Sequence, residues 1–145
     1  MTFLSTLLIE LSNIIMRASI KKYRNANADN VADADPHQLI SIIFKHILAN
    51  VAIASGAIDR EETENKGKCL TKAIALVGEL QDSLDMERGG EISINLFDLY
   101  DYIIRTLVES NVNNDTEKLD EVKNLISEIK SGWDAIPVES RVKPV

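Results

Sequence analysis

DPHQLISIIFKHILANVAIASGAI, residues 35–58, opens with two residues that together start a helix. Asp35 suits the N-cap, where a carboxylate accepts a hydrogen bond from a backbone N–H of the first turn. Pro36 follows at the first helical position, which tolerates a residue with no N–H and a preset φ. Leu39, Ile40, Ile43, Phe44, Ile47, Leu48, Val51 and Ile58 then recur at helical spacing. The pattern predicts a long helix over residues 36–58 that buries its apolar face against other helices.

The same periodicity continues downstream. After a charged connection at residues 59–62, a second helix is expected to begin between Glu61 and Asn65. Leu70, Ala73, Val77, Leu80 and Leu84 alternate spacings of three and four, the seam of a bundle core. Gly89-Gly90 is expected to end that helix, because glycine readily takes the left-handed cap conformation. A third helix is expected from about Glu91 to Asn111. One of its seams is Ile92, Leu96, Leu99, Ile103 and Leu107; a second beside it is Phe97, Tyr100, Ile104 and Val108. Residues 112–115 form the next turn, with Asn114 and Glu117 at capping-box spacing. Leu119, Val122, Ile126, Ile129, Trp133 and Ile136 mark a fourth helix that Pro137 stops. No β pattern is present. Short connections force consecutive helices to run in opposite directions, so the predicted fold is all-α, an antiparallel four-helix bundle.

Upstream, residues 25–35 are rich in Asn, Asp and Ala and read as a polar linker. Leu4, Leu8, Leu11 and Ile15 suit an additional amphipathic N-terminal helical segment. That stretch does not read as a signal peptide, since it lacks a basic start and carries Glu10 within its apolar run. It is also too short and too polar to span a bilayer. Translation starting at Met16 is the other expectation for it. The organisation expected is one domain over residues 1–145: an N-terminal segment and linker (1–35), the bundle (36–136) and a flexible tail (137–145).

Composition narrows the function. The 145 residues carry a formal net charge of −7, and the 16 basic residues are scattered among acidic neighbours. Nucleic acid is excluded as a partner, because such binding rests on clustered Lys and Arg; an anionic membrane surface is disfavoured for the same reason. Cys69 stands alone and cannot form an internal disulfide, so it reads as a core side chain in a cytoplasmic protein. His37 and His46 read as solvated, and neither has a His or Cys at metal-ligand spacing. No phosphate loop, nucleophile elbow or cofactor motif appears, and Asp98, Asp101 and Glu109 read as a solvated acidic face. A histidine phosphotransfer bundle would need a Lys and a Gly after the helical His; Ile47-Leu48-Ala49-Asn50 follow His46 instead. The chain is expected not to be an enzyme.

The apolar arcs are wide. A bundle helix needs about a third of its circumference apolar, yet the two seams of the third helix cover roughly half at about 100° per residue. On the first helix Leu39, Ile42 and Ile53 lie off the main face. Two readings stay open: burial of central helices on two sides, or an apolar groove left facing solvent.

Three stretches, taken in order, resemble the flagellar export chaperones, the flagellin chaperone family called FliS. They are Asp35-Pro36-His37-Gln38-Leu39-Ile40 followed by Ile43-Phe44; Leu84-Asp85-Met86-Glu87-Arg88-Gly89-Gly90-Glu91 running into Asn95-Leu96; and Leu99-Tyr100-Asp101-Tyr102-Ile103. Trp133 near the end of the last helix, and Ile20 with Tyr23 upstream, add to the likeness. Asp35 departs from the family's usual serine or threonine but keeps the N-cap chemistry. The family chain also usually begins near the position of Met16.

The resemblance implies a cytoplasmic chaperone for the disordered C-terminal region of flagellin. It would prevent premature polymerisation and assist delivery to the flagellar type III export apparatus, using no cofactor or nucleotide. Ile20 and Tyr23 are the N-terminal contact candidates. Leu39, Ile42, Phe97, Tyr100, Ile104 and Val108 are the groove candidates, whereas Leu99 and Ile103 are assigned to the core. Exposed grooves would let two copies pair when no client is held. The alternative is a helical-bundle adaptor or regulator with a different helical client.

Overall fold

The computed structural model describes residues 36–84 and 86–140. The expected N-terminal helix, the linker, the Asp35 cap, Ile20 and Tyr23 lie outside the described residues, as does the end of the tail. Four long helices follow one another: α1 (Pro36–Asp59), α2 (Thr63–Asp82), α3 (Met86–Asn113) and α4 (Thr116–Asp134), with a short 3-10 turn at Val138–Ser140. Each packs mainly on two others in the cyclic order α1, α2, α3, α4. The start of α1 meets the end of α4 and the start of α2 meets the end of α3, so neighbours are antiparallel. The predicted all-α bundle is the fold observed.

The core lies on the bundle axis and is built from the seams. Ile43, Phe44, Ile47 and Val51 of α1, Leu70 and Val77 of α2, Ile103 and Leu107 of α3, and Leu119 and Ile126 of α4 are fully buried. Burying a side chain of this size contributes about 1.5–3 kcal/mol. Cys69 is buried among them, as expected. By length and composition His37–Asp59 could cross a membrane. Most of its large apolar side chains pack in this core or against it instead, with Ile53 left exposed.

Both turns at one end of the bundle use a left-handed residue. α1 closes with Glu61 at φ 57°, the Glu62 N–H reaching back to the Ala57 carbonyl (2.8 Å) and the Glu61 N–H to that of Ile58 (3.1 Å). This is the Schellman pattern. α3 closes with Asn114 at φ 51° and the Asp115 N–H on the Ser110 carbonyl (3.2 Å). The expected capping box is therefore corrected by one residue. Asn114 ends α3, for which asparagine's tolerance of positive φ suits it. Asp115 caps α4, its carboxylate accepting from the Lys118 N–H at 3.1 Å.

The end of α2 is also corrected. It stops at Asp82, and the Ser83 hydroxyl donates to the Leu80 carbonyl (2.9 Å). Continuing to Gly89 would add about 10 Å of helix at 1.5 Å per residue, beyond the level at which its neighbour α1 begins. Leu84 is buried at that corner. Gly90, at φ 52° and ψ −126°, instead breaks α3 just after its first turn, and the long continuous part of α3 follows it. A Cβ added at Gly90 would meet open space, so the conformation, not crowding, favours glycine there.

A seam between α1 and α4 fixes the other end. The Trp133 indole N–H donates to the His37 carbonyl at 2.9 Å, and the two rings stack with centroids 4.7 Å apart and planes 5° from parallel. His37 is only 4% exposed, which corrects the solvated reading. The first turn of α1 faces the last turn of α4, and the indole covers the ring. The Ser41 hydroxyl donates to Asp134 (2.6 Å) beside it.

Candidate functional site

The wide arcs divide between the two readings. Leu39 and Tyr100 have no solvent exposure, so their placement in a groove is corrected to the core. Leu39 aligns with Ile43, Ile47 and Val51 at four-residue spacing, and Tyr100 with Ile103 and Leu107. Both lines run along the inner face. Burial pushes the Tyr100 hydroxyl well above the ordinary tyrosine range. It has no hydrogen-bond partner among the described residues. Ile42 and Ile104 are half-buried against the core, whereas Phe97 (39% exposed) and Val108 (47%) open to solvent.

Phe97, Ile104 and Val108 belong to a longer stripe. Ile94 (48% exposed) precedes them and Val112 (75%) follows, at spacings that keep all five on one side of α3. Asp101 occupies the intervening turn and pairs with Arg105 at 3.1 Å. Continuing the three-four spacing outward from Phe97 and Val108 finds both added residues in the sequence.

Cross-helix bonds show which neighbour the stripe adjoins. The Lys66 ammonium of α2 donates to the Asn111 carbonyl (2.9 Å) and to Asn114 Oδ1 (2.7 Å). The Gln81 amide of α2 donates to the Phe97 carbonyl at 3.1 Å. Tyr102, on the opposite flank of α3, donates a short bond to Glu121 of α4. At about 100° per residue, Phe97, Ile104 and Val108 fall within roughly 60° of Asn111 and far from Tyr102. These three therefore lie on the shoulder of α3 next to α2, and Ile94 and Val112 continue the stripe onto its outer face. On the facing shoulder of α2, on the Gln81 side, are Gly67, Thr71, Ile74 and Gly78. A Cβ added at Gly67 or Gly78 would meet nothing within 4 Å. The α3 wall is raised and apolar and the α2 floor is low, which makes a furrow between the two helices.

Few charges face this furrow. Exposed Asp82 of α2 and the Arg105-paired Asp101 of α3 sit at the end where Gln81 meets Phe97, whereas Asp98, four residues before Tyr102, falls on the α4 flank. Ile53 is the exposed apolar residue of α1, on another face.

The histidines do not assemble a reactive set. His46 is half-buried, and that burial, with Lys45 beside it, holds the imidazole below its usual pKa. Among the described residues no three His, Cys, Asp or Glu come together to hold a metal ion.

The fold and the exposed stripe define a class: an all-α helical bundle that leaves an apolar strip on its surface. Residues 19–140 match the family described as flagellar protein FliS, and the chain belongs to that family. It is 46% identical over 119 residues to the flagellar secretion chaperone FliSB of Pseudomonas aeruginosa, covering 81% of this chain and 94% of that one. It is 37% identical to the flagellar secretion chaperone FliS of Salmonella typhimurium, covering 82% and 90%. Its identity to the Bacillus subtilis flagellar secretion chaperone FliS is 31%, covering 77% and 82%.

Proposed function

We propose that this protein holds the C-terminal segment of flagellin as a helix in the cytoplasm, keeps it from polymerising early, and assists its delivery to the flagellar export apparatus. The observation that carries the reading is the solvent-facing apolar stripe Ile94–Phe97–Ile104–Val108–Val112 beside the low floor of α2. Helix-in-groove recognition uses such i, i+3, i+4 anchors. Ordering a disordered segment costs about 1–2 kcal/mol per residue in backbone entropy. Coupled folding offsets this by burying about 1,000–3,000 Å², so a furrow running most of the length of α2 suits the task. The reaction-free site needs no cofactor, and an acidic surface keeps the loaded chaperone soluble.

Phe97, Ile104 and Val108 remain the candidates in this furrow, Ile42 is a candidate contact apart from it, beside Lys45 and Lys130 on the α1–α4 side, and Ile20 and Tyr23 remain the N-terminal ones. Leu39 and Tyr100 act from inside, by setting the helices that frame the furrow. The test is co-purification with flagellin from the same organism, alongside flagellin lacking its C-terminal segment. Retained binding of the truncated client would refute the proposal, and binding of an unrelated helical protein in its place would make the chain an adaptor. Tyr23→Ala is expected to weaken flagellin binding in calorimetry while leaving the melting temperature nearly unchanged; equal affinity would remove Tyr23 from the contact.

A further inference from the structure

We infer that the outer face of α1 pairs with the same face of a second copy, the two helices running antiparallel about a twofold axis at Ala52. The inference goes beyond the proposed function and does not depend on the client. A helix that is apolar on all sides is ordinarily covered on all sides. α1 carries no Asp, Glu, Lys or Arg between Lys45 and Asp59, and no stretch of that length without one occurs in α2, α3 or α4. Its inner face, through Ile43, Ile47, Val51 and Ala54, is spent in the core. Ala49, Ala52 and Ile53 stay exposed on the outer one, with His46, Ser55 and Gly56 half-buried beside them.

The placement of charge selects a second copy as the cover. Lys45, Ala49, Ala52, Gly56 and Asp59 follow at alternating spacings of four and three, one seam along the outside of α1. Lys45 and Asp59 each stand seven residues from Ala52. Where a twofold axis relates two copies, residue i meets j and j meets i. Reversed against itself, the seam sets Lys45 on Asp59, Ala49 on Gly56 and Ala52 on Ala52, with Ile53 beside the axis. Both charges are exposed, and neither forms an ion pair among the described residues. Arg60 is turned to Glu62 at 3.0 Å and lies over Gly56, so the closest approach falls at Ala49 and Ala52. Two chains of net charge −7 repel, and this neutral seam lets them meet. α1 and α3 stand at diagonal corners of the bundle, so pairing leaves the α3 stripe open and each copy keeps its client seat. The facing helices are about 21 Å long at 1.5 Å per residue. Such a contact is smaller than the roughly 1,200–2,000 Å² of stable complexes, and the dimer is weak, with Kd about 10–100 μM.

Sedimentation equilibrium of the full chain from about 5 μM to about 1 mM is expected to show a monomer–dimer equilibrium within that range. Lys45→Glu alone, or Asp59→Lys alone, turns both end pairs repulsive and should weaken dimerisation about tenfold. An equimolar mixture of the two variants should dimerise as the parent does, because a mixed dimer sets opposite charges together at both ends. Under mild oxidation Ala52→Cys should cross-link to a dimer, whereas Asn95→Cys on α3 should not; the native Cys69 is buried. A parent that stays monomeric overturns the inference. So does a mixture that dimerises no better than its components, or cross-linking at position 95 and not at 52. A dimer that a flagellin C-terminal peptide dissociates would place the contact on the α3 stripe and overturn it as well.

Discussion

Gly67→Ala and Gly78→Ala separate what the bundle needs from what its occupant needs. In a helix interior glycine costs about 1 kcal/mol relative to alanine, because it surrenders more backbone freedom on folding. Neither position repays this within the chain, since a Cβ at either would meet nothing within 4 Å. Each substitution is therefore expected to stabilise the bundle by about 1 kcal/mol. The two sites are about 16 Å apart along α2 at 1.5 Å per residue, so the effects should add to about 2 kcal/mol. For a domain of this size each step corresponds to a rise of roughly 4 °C in melting temperature. Urea unfolding followed by far-ultraviolet circular dichroism, and by the fluorescence of Trp133, measures the change; the slope should stay constant while the midpoint rises. The added methyls would crowd the floor of the furrow, where overpacking costs about 1–3 kcal/mol, so flagellin affinity in calorimetry should fall about tenfold. Destabilised variants would show that the floor is not open. Variants that are stabilised and still bind with full affinity would show that the client does not sit there.

Three further substitutions probe the frame of the site. Tyr100→Phe removes a buried hydroxyl with no partner among the described residues and should raise stability by about 1 kcal/mol; a lower urea midpoint would contradict the burial argument. Lys66→Met strips the Asn111 carbonyl and Asn114 Oδ1 of their buried cationic donor and should cost about 2 kcal/mol, with an unchanged midpoint showing the bonds to be dispensable. Burial alone would raise the pKa of Asp134, but the hydrogen bonds from Lys130 and Ser41 outweigh it and hold the carboxyl below its ordinary 3.8. A carboxylate whose folded pKa is depressed contributes stability above its unfolded value, and that contribution is lost as pH falls through the folded one. Asp134→Asn should therefore flatten the loss of stability below pH about 4, and an acid limb identical to that of the parent would refute the assignment.

Helix spacing was legible because it is local. The start of α1 at Pro36 and the seams through Val77, Ile103 and Ile126 follow from a period near 3.6 that needs no knowledge of neighbours. Local chemistry gave less at the turns. Asn114 carries a side chain suited both to an N-cap and to a left-handed C′ position. The Asp115 N–H bonded to Ser110 assigns it the second role, and that bond forms only once α3 has its full length. Gly89-Gly90 looked like the end of α2 because glycine ends helices generally. Where α2 stops was set by the length of the helices around it and by Leu84 turning into the core.

By itself the sequence determined four amphipathic helices in an acidic chain with short connections, and so an antiparallel bundle; its ordered motifs also carried the likeness to FliS. Only the tertiary structure decided which half of each wide apolar arc is spent inside. Leu39 and Tyr100 went to the core, while Phe97 and Val108 stayed in solvent beside the bare floor of α2. His37 passed from water to the face of Trp133 for the same reason. Periodicity records that a side chain is apolar and which way it points along its own helix, whereas burial depends on which other helix arrives there.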